Sequence, residues 1–296
     1  MNCLPLELLE IIISFVPPKS LKRLSIVNRL LRDLCSPLIF RSIQVGIAQA
    51  QFDKLFKISK SSYAPFVRVI RYEANALLDP IHPSNIQSRM DEKRKILQAS
   101  DILSEALPRL SNLNTIEIDL VHGIKDQFGH ASGYMLPHQD YYHGPLEKLL
   151  TATLLAQQNG VTVQAFRISG FYHQAAIDDC FLQALASRVL SEVKEIRITS
   201  TSPIFPFISG MPLMQLQRLE LIDIWLSLEA LEDLVRHAEH LKSLHLENIW
   251  LVDELANQGP GMSKGTTISV LELLARLYRP LEITITYCER TQQFVI

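Results

Sequence analysis

One short apolar pattern recurs along most of this chain and limits what it can fold into. Leu216, Leu219 and Leu221 are spaced apolar-x-x-apolar-x-apolar, and Leu241, Leu244 and Leu246 repeat that spacing 25 residues later. The segments that carry it, LELIDIWL at 219–226 and LHLENIWL at 244–251, are near copies. Looser instances begin with Phe40, Ile43, Val45 and with Phe66, Val69, the latter ending at Arg71. They continue through Leu113, Ile116, Ile118, then Val163, Phe166, Ile168 and Val193, Ile196, Ile198, and end with Pro280, Ile283, Ile285. The last two apolar positions alternate with polar ones, which is the pattern of a strand buried on one face. Helical stretches are expected between the strands, at 49–58, 91–107, 146–157, 175–190, 228–240 and 268–277. Strands alternating with helices predict an α/β fold with parallel strands joined by helical crossovers.

A unit of about 25 residues built this way resembles a leucine-rich repeat, where strands line the inside of an arc and helices its outside. The resemblance is irregular. Successive units at Phe66, Leu113 and Val163 are 47 and 50 residues apart, and Ile224 and Ile249 stand where the usual repeat asparagine would be. The expectation is therefore an irregular leucine-rich-repeat-like α/β solenoid over residues 46–296. An open parallel α/β sheet makes most of the same local predictions.

Residues 1–45 read differently. Pro5 suits the first turn of a helix, with Glu7 and Glu10 near its positive end, and Leu8, Leu9, Ile12 and Phe15 form an apolar face. Pro17-Pro18 stops that helix, and Ser20 is placed to cap a second one carrying Leu21 and Leu24. A third, from Asn28 to Cys35, turns Leu31 and Leu34 to one side and ends at Ser36-Pro37. Three such short helices cannot bury all of their apolar residues among themselves. They either pack on the rest of the chain as a cap or keep an apolar patch for a partner.

The order Leu4-Pro5, Glu7, Leu8-Leu9, Ile12, Phe15, Leu21, Leu24-Ser25, Val27-Asn28-Arg29, Arg32, Leu34, Pro37, Phe40-Arg41 resembles the F-box motif without a gap. Its pairing with a repeat region resembles fungal F-box proteins. The resemblance implies docking onto a Skp-type adaptor and, through it, a cullin–RING ubiquitin ligase. Carried over by position, the adaptor contacts would be Leu4, Pro5, Leu8, Leu21, Leu24, Val27, Leu31 and Leu34. Leucines of short helices set in a groove are a common anchoring pattern.

Composition narrows the remaining classes. The 296 residues are 47% hydrophobic, enough for a real core, which excludes wholesale disorder. Twenty-nine Lys and Arg against 31 Asp and Glu give no broad basic surface, so neither nucleic acid nor an anionic membrane is an expected partner. Cys3, Cys35, Cys180 and Cys288 are far apart, which favours a reducing compartment over a disulfide framework. The apolar run from Leu8 to Val16 is too short to span a bilayer and contains Glu10 and Ser14. A soluble protein of the cytoplasm or nucleus is expected.

Catalysis is not expected. There is no Gly-rich phosphate loop, Gly-x-Ser-x-Gly elbow or metalloprotease His pair. Asp178-Asp179 and Glu254 have no evident partners, and Cys180 sits in an apolar helical run where burial is expected. No cofactor or metal is implied. In a solenoid the polar residue between the last two apolar positions faces the inner surface, giving Gln44, Ile70, Glu117, Arg167, Arg197, Glu220, His245 and Thr284. Arg167 and Arg197 side by side could grip a carboxylate or phosphate on a target, while Glu117, Glu195 and Glu220 are expected to neutralise them. Trp225 and Trp250 occupy equivalent positions just beyond two strands, which argues for shared core packing over a hot spot. Residues 122–144 read as a long loop with His122, His130, His138, His143 and Asp140. Its histidine spacing does not favour zinc, and Tyr141 and Tyr142 are the candidates there for target contact. The sequence reading is thus a non-catalytic substrate receptor of a Skp–cullin–F-box ligase. Its alternative is an F-box scaffold outside any ligase; an enzyme on the α/β sheet is the weakest reading.

Overall fold

A computed structural model describes residues 4–46, 48–73, 101–119, 140–170, 180–201, 211, 213–226, 228–251, 281–287 and 290–295. Three helices come first: α1 (Leu6–Ser14), α2 (Pro18–Leu24) and α3 (Arg29–Ile39). A nine-stranded sheet follows, formed by β1 (Ser42–Gly46), β2 (Val69–Glu73), β3 (Thr115–Asp119), β4 (Ala165–Ser169), β5 (Glu195–Thr201), β6 (Arg218–Leu226), β7 (Ser243–Leu251), β8 (Glu282–Tyr287) and β9 (Arg290–Val295). The strands lie side by side in chain order. All neighbours from β1 to β8 are parallel, and β9 turns back antiparallel on β8, a strand the repeat pattern does not announce.

The six junctions from β1/β2 to β6/β7 are built by the same backbone device. The Arg41 carbonyl accepts from the N–H groups of Arg68 and Val69, and the Arg68 carbonyl from those of Asn114 and Thr115. Asn114, Gln164, Lys194 and Gln217 continue the series, each carbonyl taking two N–H donors at the start of the next strand. One carbonyl with two lone pairs thus satisfies two amides per joint, which fixes the register of the next strand.

Alternation along the strands divides the sheet into two faces. Ile43, Val45, Ile70, Tyr72, Ile116, Ile118, Phe166 and Ile168 point into a single core, as do their counterparts to Ile285. Helices cover that face. These are α4 (Gln49–Ser59), α5 (Asp140–Gln158), α6 (Cys180–Leu190) and α7 (Leu228–His237), with residues 101–106 also helical. Phe52 and Leu55, Leu149 and Leu150, Ala186 and Val189, and Leu231 and Leu234 supply the apolar stripes. α5 ends in a Schellman turn, with Gly160 at φ +88° and the Val161 N–H bonded to the Ala156 carbonyl. The opposite face of the sheet carries the polar alternates.

Several expectations are corrected. The second strand runs Val69–Glu73, and its inward residues are Ile70 and Tyr72. Ile70 is therefore core, and Arg71 takes the outward place beside Gln44 and Glu117. A slip of one residue turns every side chain of a strand to the other face. α3 continues through Pro37 to Ile39 instead of ending at Cys35, and Pro17, with Pro18 at the first helical position, opens α2 in place of Ser20. Residues 140–144, expected in a loop, are the start of α5, and α7 ends at His237. Trp225 and Trp250 lie within β6 and β7, paired in register. The expected helix at 268–277, Asp178-Asp179, Glu254, and His122, His130 and His138 lie outside the described residues.

Candidate adaptor-binding surface

The three N-terminal helices have a small core of their own. Ile13, Leu21 and Cys35 are buried together, one from each helix, with Val16, Leu24, Leu31, Leu34, Leu38 and Ile39 packed around them. Burial raises the pKa of the Cys35 thiol above its ordinary value. Asn28 caps α3 by accepting the Leu31 N–H at 2.8 Å, and Arg32 Nε donates to the Ser25 carbonyl, tying α3 to the end of α2. The module runs straight into the sheet: Phe40 stacks on Tyr63 with ring centroids 4.3 Å apart, and Arg41 then makes the first strand joint.

α1 is apolar on two sides. Ile13, with Val16 just past the helix end, faces the small core, and Leu9 is half-buried one turn earlier. Leu8, Ile11, Ile12 and Phe15, at i, i+3, i+4 and i+7, form an outer stripe that is open to solvent, with Phe15 82% exposed. Leu4 and Leu6 are exposed ahead of it. The α2–α3 turn adds Ile26 and Val27, and α3 adds Leu30. Most of the large exposed apolar side chains among the described residues therefore gather in residues 4–30. So dense an apolar surface marks an interaction site.

These helices are an F-box. Residues 1–42 match the family model for the F-box domain, which ends where β1 begins. F-box domains generally bind Skp-type adaptors, and the match points to residues 1–42 as an adaptor-binding module. A search of curated proteins finds no match.

The structure sorts the expected adaptor contacts into two groups. Leu4, Pro5, Leu8 and Val27 are exposed and available. Leu21 is buried in the F-box core, and Leu24, Leu31 and Leu34 are half-buried against it, so these four hold the helices together. Leu6, Ile11, Ile26 and Leu30, which the sequence reading did not single out, are exposed beside the first group. For Leu6 and Ile11 the available signal was that neither lies on the side of α1 that carries Ile13.

On the open face of the sheet, Arg71, Glu117, Arg167, Arg197, Glu220 and His245 form one row in register. Arg71 and Arg167 share Glu117, at 2.7 Å and 2.8 Å to its two carboxylate oxygens. Arg197 and Arg218 share Glu220, at 3.5 Å and 2.7 Å. Both arginines expected at the target surface are thus exposed and ion-paired. Tyr141 and Tyr142 fall in the first turn of α5, and their side chains lie outside the described residues. Among the described residues no group of three His, Cys, Asp or Glu is placed to hold a metal ion, and no helix is long and apolar enough to cross a membrane.

Proposed function

We propose that this chain is the substrate receptor of a Skp–cullin–F-box ubiquitin ligase, acting in the cytoplasm or nucleus. Its F-box docks on the Skp-type adaptor, and the sheet region, read as an irregular leucine-rich-repeat-like array, presents a protein target. The observation that carries the reading is the outer stripe of α1, an apolar helix face with nothing of its own chain to cover it among the described residues. A helix of this kind laid into a hydrophobic groove is a recurrent mode of protein recognition. The chain performs no chemistry in this scheme. It raises the effective concentration of the target beside a charged ubiquitin carrier.

A pull-down with purified Skp-type adaptor tests the docking step. The intact chain is expected to bind, and a Leu4→Ala, Pro5→Ala, Leu8→Ala triple variant to lose binding while remaining folded. No binding by a folded intact chain overturns the proposal. Cullin recovery in the same complex separates a ligase receptor from a scaffold.

A further inference from the structure

We propose that Ser25 is a phosphorylation site for an arginine-directed serine kinase, and that its phosphate closes the surface on which the adaptor docks. The regulation rests on the receptor reading; the site itself does not. Ser25 is the one serine or threonine of the chain with basic residues both three and two positions before it, Lys22 and Arg23, and the apolar Ile26 follows. Kinases choose their substrates in large part by such charge patterns. No carboxylate lies between Glu10 and Asp33, whereas Lys19, Lys22, Arg23, Arg29 and Arg32 all fall there. The segment around Ser25 is thus basic, and a kinase groove lined by carboxylates is drawn to it.

The fold leaves the hydroxyl within reach. Ser25 follows the last residue of α2 and is half-exposed, its Oγ donating to the Lys22 carbonyl at 2.9 Å. A kinase holds its substrate extended, and little has to open here. α2 has seven residues, of which Leu21 alone is buried, and the ends of so short a helix open at low cost. In the transfer, Ser25 Oγ attacks the γ-phosphorus of ATP, the bond from that phosphorus to the bridging oxygen breaks, ADP leaves, and the hydroxyl proton is released.

The product carries about two negative charges at neutral pH and has no hydroxyl to donate. It gives up the bond to the Lys22 carbonyl and sits at the negative end of α2. Lys22 and Arg23 in the last turn are the cations beside it, together with Arg32, whose Nε already donates to the Ser25 carbonyl at 3.3 Å. These pairings keep the helices together. Docking is what suffers, because Ile26 and Val27 come next in the chain, 76% and 66% exposed. An adaptor that covers them has to strip water from the dianion at their side, which is costly.

The test uses the full chain with ATP, magnesium and the catalytic subunit of cyclic-AMP-dependent protein kinase, the phosphate being located by peptide mass analysis. Ser25 is expected to be modified, and Arg23→Ala to slow the transfer about tenfold, the scale of one charged hydrogen bond. The phosphorylated chain should bind the purified adaptor about tenfold more weakly than the untreated chain, or worse, with its thermal melt unchanged. Ser25→Ala is expected to bind as the parent does, before and after kinase treatment. The proposal is overturned if Ser25 stays unmodified, if the fully phosphorylated chain binds the adaptor as well as the parent, or if binding is lost only because the melt collapses. An untreated, folded chain that never binds the adaptor overturns the receptor reading and this regulation with it, and the mass analysis still decides whether Ser25 is a kinase site.

Discussion

Asn248 donates from Nδ2 to Asp223 Oδ1 at 3.0 Å, and both residues hold left-handed backbones, with φ of +50° and +54°. They stand 25 residues apart at the same place in β7 and β6, one position before the buried Ile249 and Ile224. Side-chain polarity and backbone geometry are joined here, because Asn and Asp tolerate a left-handed conformation better than other residues with a Cβ. The pairing ladder steps over both residues and resumes at Ile224–Ile249, so the two strands bend together. Asn248→Ala loses the bond and keeps the strained backbone. It is expected to lower stability by about 1–2 kcal/mol, and Asn248→Gly, which relieves the backbone, by less. Urea unfolding of the two variants against the parent checks this order.

Leu21 and Leu8 should fail in different ways. Leu21→Ala empties a buried position between Ile13 and Cys35, and a loss of about 2–5 kcal/mol is large for so small a module. Adaptor binding then falls because the F-box opens, and Cys35, otherwise shielded, becomes reactive towards a thiol reagent, located by peptide mass analysis. Leu8→Ala is expected to weaken adaptor binding with Cys35 still protected. Equal Cys35 labelling in both variants would contradict this division.

The strands were legible because their inward residues alternate cleanly, and the first helix because Pro5 and Pro17-Pro18 bracket it as local signals. Where the reading slipped, several apolar residues stood together. Around β2, Phe66-Val67 and Val69-Ile70 fit the pattern in either of two frames, and only pairing with β1 and β3 selects Ile70 and Tyr72 as inward. Periodicity marked α1 as apolar, yet it could not say which stripe meets the module's own core and which stays open, since that depends on where α2 and α3 dock. Arg167 and Arg197 were visible as neighbours, but the sharing of each glutamate between two arginines required the register.

Tyr72 is buried in the core beside Phe52, and its hydroxyl has no hydrogen-bond partner among the described residues. An unsatisfied buried hydroxyl carries a desolvation cost, so Tyr72→Phe is expected to raise stability by roughly 1 kcal/mol in thermal or urea unfolding. Burial also pushes the phenol pKa far above its ordinary value. The folded protein then keeps a proton that the unfolded chain releases. The stability contribution is complete below the unfolded tyrosine value of about 10 and falls as the pH rises above it towards the folded value. Tyr72→Phe should remove that part of the alkaline loss, and a fall in stability at neutral pH would instead reveal a partner for the hydroxyl.

Glu117 tests how much the charged row contributes to the fold itself. Its carboxylate is 15% exposed, yet both of its arginines are about half exposed, so solvent screens the pairs. Exposed ion pairs of this kind contribute little, and Glu117→Gln is expected to cost less than about 1 kcal/mol. The difference from the parent should shrink further in high salt, because the lost interactions are those that salt already weakens. A loss of several kcal/mol that is insensitive to salt would mean that Glu117 acts as a buried structural anchor. A small, salt-sensitive loss is the outcome required of a solvated surface row.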